Sequence, residues 1–164
     1  MINKKMQTAF NGQVNAETYS AYLYWSMSAA LETQGLHGFA HWMRVQAGEE
    51  LGHAKKFYGQ LIERGGVVTL KAIDAPPTQW SSMMGMFKDV LKHEQEVTGL
   101  IHNLMALAHG EKDYAAAIFL QWFVTEQVEE EARAQEVLQR LGMAGDSKGA
   151  LLMLDKEMGK RGSE

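Results

Sequence analysis

The chain has 164 residues, enough for one domain with a sizeable core, and its formal net charge of −4 speaks against a nucleic-acid partner. Hydrophobic residues make up 46% and charged residues 22%, as in ordinary globular domains, and the absence of cysteine excludes disulfides, thiolate metal sites and haem–thiolate ligation. The opening MINKKMQTAF has no long apolar run after its lysines and no apolar span of about 18 residues follows, so neither a leader peptide nor a membrane segment is expected and the expected location is the cytoplasm.

A first amphipathic run extends from about Met6 to Gln34 and breaks at Gly35-Leu36-His37-Gly38. A second goes from about Phe39 to Arg64 and stops at Gly65-Gly66. Residues 67–80 contain Pro76 and Pro77, the only two prolines, and read as irregular or extended. A third run goes from about Ser82 to His109 and a fourth from about Lys112 to Arg140, with Gly142 and Gly145 expected to end it. A short fifth helix is expected from Ser147 to about Met158, capped by Asp146.

The short breaks make each pair of runs an antiparallel hairpin. The linker between hairpins, at roughly 3.3 Å per residue, spans roughly 50 Å, longer than a helix of about 39 Å. It can return along the whole bundle and leave the second and third helices parallel. The fold class is therefore all-α: a single domain over residues 1–164, with a four-helix bundle over about 6–141, one long crossover and a short C-terminal helix over about 146–158.

Alternating steps of four and three residues pick out one stripe per helix. They give Phe10, Val14, Glu17, Ala21, Tyr24, Ser28 and Leu31, then Phe39, Met43, Gln46, Glu50, His53 and Phe57. The third and fourth stripes are Met84, Phe87, Leu91, Glu94, Thr98, Ile101, Met105 and Ala108, and Ala116, Leu120, Phe123, Gln127, Glu130, Ala134, Val137 and Leu141. Each is apolar at its ends and polar near its middle. The interruptions lie at similar distances from the two hairpin turns, so they meet at one level of the bundle.

Unpaired carboxylates in such a place cost several kcal/mol each or take up protons. A bound cation relieves both. Glu50-x-x-His53 sets a carboxylate and an imidazole one turn apart, and Glu17 completes three ligands for one ion. Glu50 is placed to bridge to a second ion held by Glu94 and Glu130, with Gln127 as a neutral partner. Such ligands suit iron, manganese or zinc. Two iron(II) ions bring four positive charges, and Glu17, Glu50, Glu94 and Glu130 bring four negative ones. A buried polar network without metal is the competing reading. Tyr24, two turns from Glu17, is placed to hydrogen-bond a ligand carboxylate or donate an electron, and equally to serve as a core tyrosine. Trp122, beside the stripe, reads as packing. Glu49, Glu126, Glu129 and Glu131 read as a solvated face. Yet Glu126 and Glu129 sit three residues apart, where like charges repel unless a cation intervenes, so a third metal position is a second reading. His37, His41, His93, His102 and His109 are expected at the surface or at helix ends.

The chain resembles the prokaryotic non-haem ferritins over nearly its whole length. The resemblance is carried by N-x-E-x-x-S-A-Y-x-Y at Asn15 to Tyr24, G-F-x-x-W-M at Gly38 to Met43 and E-E-x-x-H at Glu49 to His53. It continues with E-R-G-G at Glu63 to Gly66, H-E at His93-Glu94, F-L-Q-W-F at Phe119 to Phe123, E-Q-V-E-E-E at Glu126 to Glu131 and L-x-L-D-K-E at Leu152 to Glu157. It implies a ferroxidase centre with a first iron on Glu17, Glu50 and His53 and a second on Glu50, Glu94 and Glu130, with Gln127 close to the oxidant. A third iron would take Glu49, Glu126, Glu129 and Glu130. By this resemblance iron(II) is oxidised by dioxygen or peroxide and stored as a ferric mineral in a homo-oligomeric cage of 24 subunits, whose fourfold axes the fifth helix would line.

Bacterioferritins carry a second E-x-x-H where this chain has Gln127-x-x-Glu130. They also have a haem-binding Met where it has Leu51, so no haem is expected. The rival readings are a DNA-protecting cage, which the −4 charge disfavours, and a di-iron oxygenase or rubrerythrin-like peroxidase. The four-cysteine iron domain common in rubrerythrins has no counterpart in a chain without cysteine.

Overall fold

The computed structural model describes residues 1–162 and, among them, contains helices and no strands. The helices are α1 (Lys4–Thr33), α2 (His37–Glu63), α3 (Met83–Gly110), α4 (Tyr114–Ala144) and α5 (Lys148–Met158). Each except α2 begins on a side chain that accepts a hydrogen bond from an otherwise unpaired backbone N–H: Asn3 from Met6, Ser82 from Gly85, Asp113 from Ala116 and Ser147 from Ala150. The α5 cap is thus Ser147, not Asp146: its hydroxyl lies 3.3 Å from the Ala150 N–H, three residues on. Gly142 does not end α4 either. The helix runs through it and stops at Gly145, whose φ of 52° suits a residue without a Cβ.

Two apolar clusters set the topology. One joins Leu31 of α1, Phe39 of α2, Phe87 of α3 and Leu141 of α4. The other joins Phe10, Phe57, Ile101 and Leu120 from the opposite ends of the same helices. α1 and α2 are therefore antiparallel, as are α3 and α4, while α2 and α3 are parallel. The crossover runs up the flank of α1: Asn11 bonds to Val67 and Thr69, and Ser26 donates to the Pro77 carbonyl. At the far end Arg64 grips Asp113 through two bonds of 2.8 and 2.9 Å, tying the end of α2 to the carboxylate that caps α4.

The stripes expected on α1, α2 and α4 are buried at every position. On α3 the expectation is half right. Phe87, Glu94, Ile101 and Ala108 are buried, but Val90, Val97 and Leu104 accompany them, while Met84, Leu91, Thr98 and Met105 lie at the margin. Both sets alternate correctly with Phe87 and Glu94, and Val90, Val97 and Leu104 take the interior. Among the described residues no helix is long and apolar enough to cross a membrane.

Helix α5 closes one end of the bundle through Gly38. A Cβ there would lie 1.6 Å from the Asp155 carbonyl oxygen, and the Asp155 carboxylate accepts from the next N–H, that of Phe39, at 2.9 Å. Backbone has no rotamer with which to move aside. Gly38→Ala is expected to lower the unfolding temperature and to strip hydrogen-exchange protection from residues 148–158. Unchanged protection there would contradict this docking.

Candidate metal centre

Between the two apolar clusters lies one polar layer. Glu17 of α1, Glu50 and His53 of α2, Glu94 of α3, and Gln127 and Glu130 of α4 are each 4% exposed or less. Each of the four long helices contributes, and their stripes converge on this level. The energetic question is how each carboxylate replaces the water it lost.

At the first position ligand atoms of Glu17, Glu50 and His53 lie within 4.8 Å of one another. Nδ1 of His53 is 3.3 Å from Glu50 Oε2 and 4.0 Å from Glu17 Oε2. Gln13 donates to the other Glu17 oxygen at 2.9 Å, and Gln46 to Glu50 Oε1 at 2.7 Å. That leaves Glu17 Oε2 and His53 Nδ1 buried, facing one another and without hydrogen-bond partners. Two buried neighbouring atoms that become lone-pair donors on losing their protons are what a cation site requires and what a polar network avoids. Edge-on contacts with Trp122 and Phe123, at 5.5 and 5.8 Å between centroids, hold the imidazole plane. Trp122, 41% exposed, thus packs as expected, and what it packs against is a site residue.

Glu94 and Glu130 stand apart from that trio. The Tyr24 hydroxyl donates to Glu94 Oε1, and the Gln127 amide reaches Glu94 Oε2 at 3.3 Å. Gln46 donates to Glu130 Oε2 at 2.9 Å, and Arg133 to Glu130 Oε1 at 2.9 Å. Gln46 therefore spans Glu50 and Glu130 and couples the two positions. The cluster Glu49, Glu126 and Glu129 adjoins Glu130 around the Arg133 guanidinium.

Burial dominates the proton affinities. It raises Glu17 well above its ordinary value of 4.5, with the charge of Glu50 adding to the effect. Glu50 is also buried, but its contact with His53 outweighs that and holds it below its ordinary value. Of the two carboxylates, Glu17 is therefore the one that holds a proton more readily. Burial and the charge of Glu50 push Glu94 to about 8 and Glu130 to about 7. His53 reaches about 9: burial opposes its charge, and Glu50 and Glu17 overcome that.

The structure thus gathers all six stripe residues and Tyr24 at one depth. His93, expected at the surface, is instead half-buried. It bonds to Ser20 at 2.8 Å, meets the Tyr24 ring edge-on and has its pKa lowered by burial. Its neighbour Glu94 was the available signal, since a side chain one position from a buried ligand often lines the same helix interface. Gln13, one turn before Glu17, was readable only by the same i,i+4 logic.

Two consequences are measurable. Glu94 and His53 are raised above ordinary values of 4.5 and 6.5, so the stability each gives the metal-free fold is complete below those values. It is lost as pH rises through about 8 and about 9 respectively. A divalent ion must displace the same protons. Its affinity is expected to climb between about pH 6 and pH 9, with proton release seen as buffer-dependent heat in titration calorimetry. A pH-independent affinity would contradict the assignment.

A ferritin-like domain family model matches residues 7–144. A bacterial non-heme ferritin of Bacteroides fragilis is 43% identical over 161 residues, covering 98% of this chain and 100% of the relative. One of Staphylococcus aureus is 40% identical, covering 98% and 97%. Among solved structures, an open pore ferritin from the hyperthermophilic archaeon Archaeoglobus fulgidus superposes with a TM-score of 0.97 at 50% identity, covering 98% of this chain and 99% of that one. A closed form of the Archaeoglobus fulgidus ferritin, engineered by site-directed mutagenesis, also gives 0.97 at 50% identity, with 98% of each chain covered. Likeness of this extent, in a chain that buries a carboxylate–carboxylate–imidazole trio in mid-bundle, shows that the protein belongs to the ferritin-like domain family and is a ferroxidase within it.

Proposed function

We propose that the chain oxidises iron(II) at a two-ion centre inside each subunit and stores the ferric product in a cytoplasmic cage of 24 copies. The observation that carries this reading is the pair of buried, unpartnered atoms, Glu17 Oε2 and His53 Nδ1, set beside Glu50. Iron is the substrate here. Glu17, Glu50 and His53 hold the first ion, and Glu50, Glu94 and Glu130 hold the second, with Gln127 beside the oxidant.

The chemistry then balances simply. Each of two iron(II) ions gives up one electron. Dioxygen accepts both with two protons and leaves as peroxide, or peroxide accepts both with two protons and leaves as two waters. Anionic carboxylates favour iron(III) over iron(II), which supplies part of the driving force. Protons displaced from Glu17, Glu94 and His53 on iron entry are available next to the oxidant. Gln46, bonded to both Glu50 and Glu130, keeps the bridge and the second position in register. Tyr24 orients Glu94 through its hydroxyl.

Glu50→Ala removes the bridge and His53→Ala the only imidazole of the centre. Each is expected to slow the initial rate of iron(II) oxidation at least about tenfold, the loss of one strong metal ligand, with helical content unchanged. An unaltered rate would refute the centre. Assembly is checked separately by light scattering. An 18.3 kDa chain in a 24-subunit cage gives a particle of about 440 kDa, whereas a stable monomer or dimer would reject the cage.

A further inference from the structure

Beside the centre, the carboxylates of Glu49, Glu126, Glu129 and Glu130 already share a cation that belongs to the chain. Arg133, one turn beyond Glu129 and Glu130 on α4, sends one guanidinium into all four. It lies 2.9 Å from Glu130, 3.2 Å from Glu129, 3.6 Å from Glu49 and 3.7 Å from Glu126. A surface ion pair normally joins two wet side chains and contributes little. Here one partner, Glu130, is 2% exposed, so its oxygen has exchanged water for the guanidinium.

A second arginine approaches from elsewhere in the chain. Arg161, in the turn after α5, reaches Glu49 at 2.5 Å and Gln46 at 2.7 Å, and its guanidinium lies over the Trp42 ring, 4.3 Å from the centroid. His41 donates to its backbone carbonyl at 2.9 Å. The cluster is thus closed by two permanent positive charges before any metal arrives. A guanidinium cannot be deprotonated out of the way, so a further ion can take Glu49, Glu126 and Glu129 together only by moving it bodily.

We propose that Arg133 is the resident counter-ion of this cluster and sets the number of metal ions the centre holds at two, by occupying the position a third would take. This rests on the two-ion reading above. Arg133 acts on ion number and not on electron transfer, and Arg161 holds Glu49 turned toward the same charge.

The test counts ions and does not depend on turnover. Zinc(II), which is redox-inert, is titrated into the assembled, metal-free protein and followed by calorimetry and by metal analysis after gel filtration. The parent protein is expected to hold two ions per chain and Arg133→Leu three, the third bound at least about tenfold more tightly than any third ion of the parent, since a charge-assisted bond no longer has to be broken. Arg133→Lys, which keeps the charge, is expected to stay at two and controls for a variant that folds poorly. Three ions in both parent and Arg133→Leu, or two in both, would overturn the proposal. If the parent holds none and Glu50→Ala titrates identically, the centre itself has failed and the proposal falls with it. A parent at two with both variants at two locates the failure at Arg133 alone.

Discussion

Four carboxylates and an imidazole are packed where the bundle should be burying hydrocarbon, and the charge has to be balanced there. Everything near the centre answers that constraint. Gln13, Gln46 and Gln127 spend their amide protons on carboxylate oxygens, Tyr24 gives its hydroxyl to Glu94, and Arg133 gives a guanidinium to Glu130. Glu17 and Glu94 take up protons because burial makes that easier than remaining charged. Two atoms, Glu17 Oε2 and His53 Nδ1, are left without a hydrogen bond, 4.0 Å from each other. A divalent ion completes the set. On the proposed reading the same ion displaces the protons, so metal entry and proton release are one event.

The frame holds this layer in place by dividing the hydrophobic core in two. One apolar cluster lies above it and one below, and each contains residues from all four long helices. The polar layer therefore cannot shift along the bundle without unpacking one cluster. The crossover makes the arrangement possible, since only a long return along α1 lets α2 and α3 run parallel and bring Glu50 and Glu94 to the same depth. The Arg64–Asp113 bridge and the Gly38–Asp155 contact secure the two ends.

Much of this was readable in the order of residues. The stripes of α1, α2 and α4 were readable, since the steps of four and three pick out positions that are all buried. The α3 stripe was not, because Met84, Leu91 and Met105 are as apolar as Val90, Val97 and Leu104, and periodicity alone cannot choose between two apolar neighbours. Glu50-x-x-His53 sets a carboxylate and an imidazole one turn apart, a pattern that points to a metal only together with Glu17, and the three side chains do meet. The arginines announce nothing: Arg133 after Glu129 looks like an ordinary i,i+4 surface pair. Arg161 is separated from Glu49 by 112 positions and meets it only because α5 folds back onto Gly38. Local pattern reports faces of helices, and tertiary contacts of this range lie beyond it.

The central claim is that the mid-bundle layer is a two-ion site bridged by Glu50. Anomalous diffraction from crystals soaked anaerobically in iron(II) addresses it most directly. Two peaks in each subunit are expected, one among Glu17, Glu50 and His53 and one among Glu50, Glu94 and Glu130, with Glu50 contacting both. A fully occupied crystal with no peak at Glu50, or with iron bound only on the exposed carboxylates outside the bundle, would contradict the account.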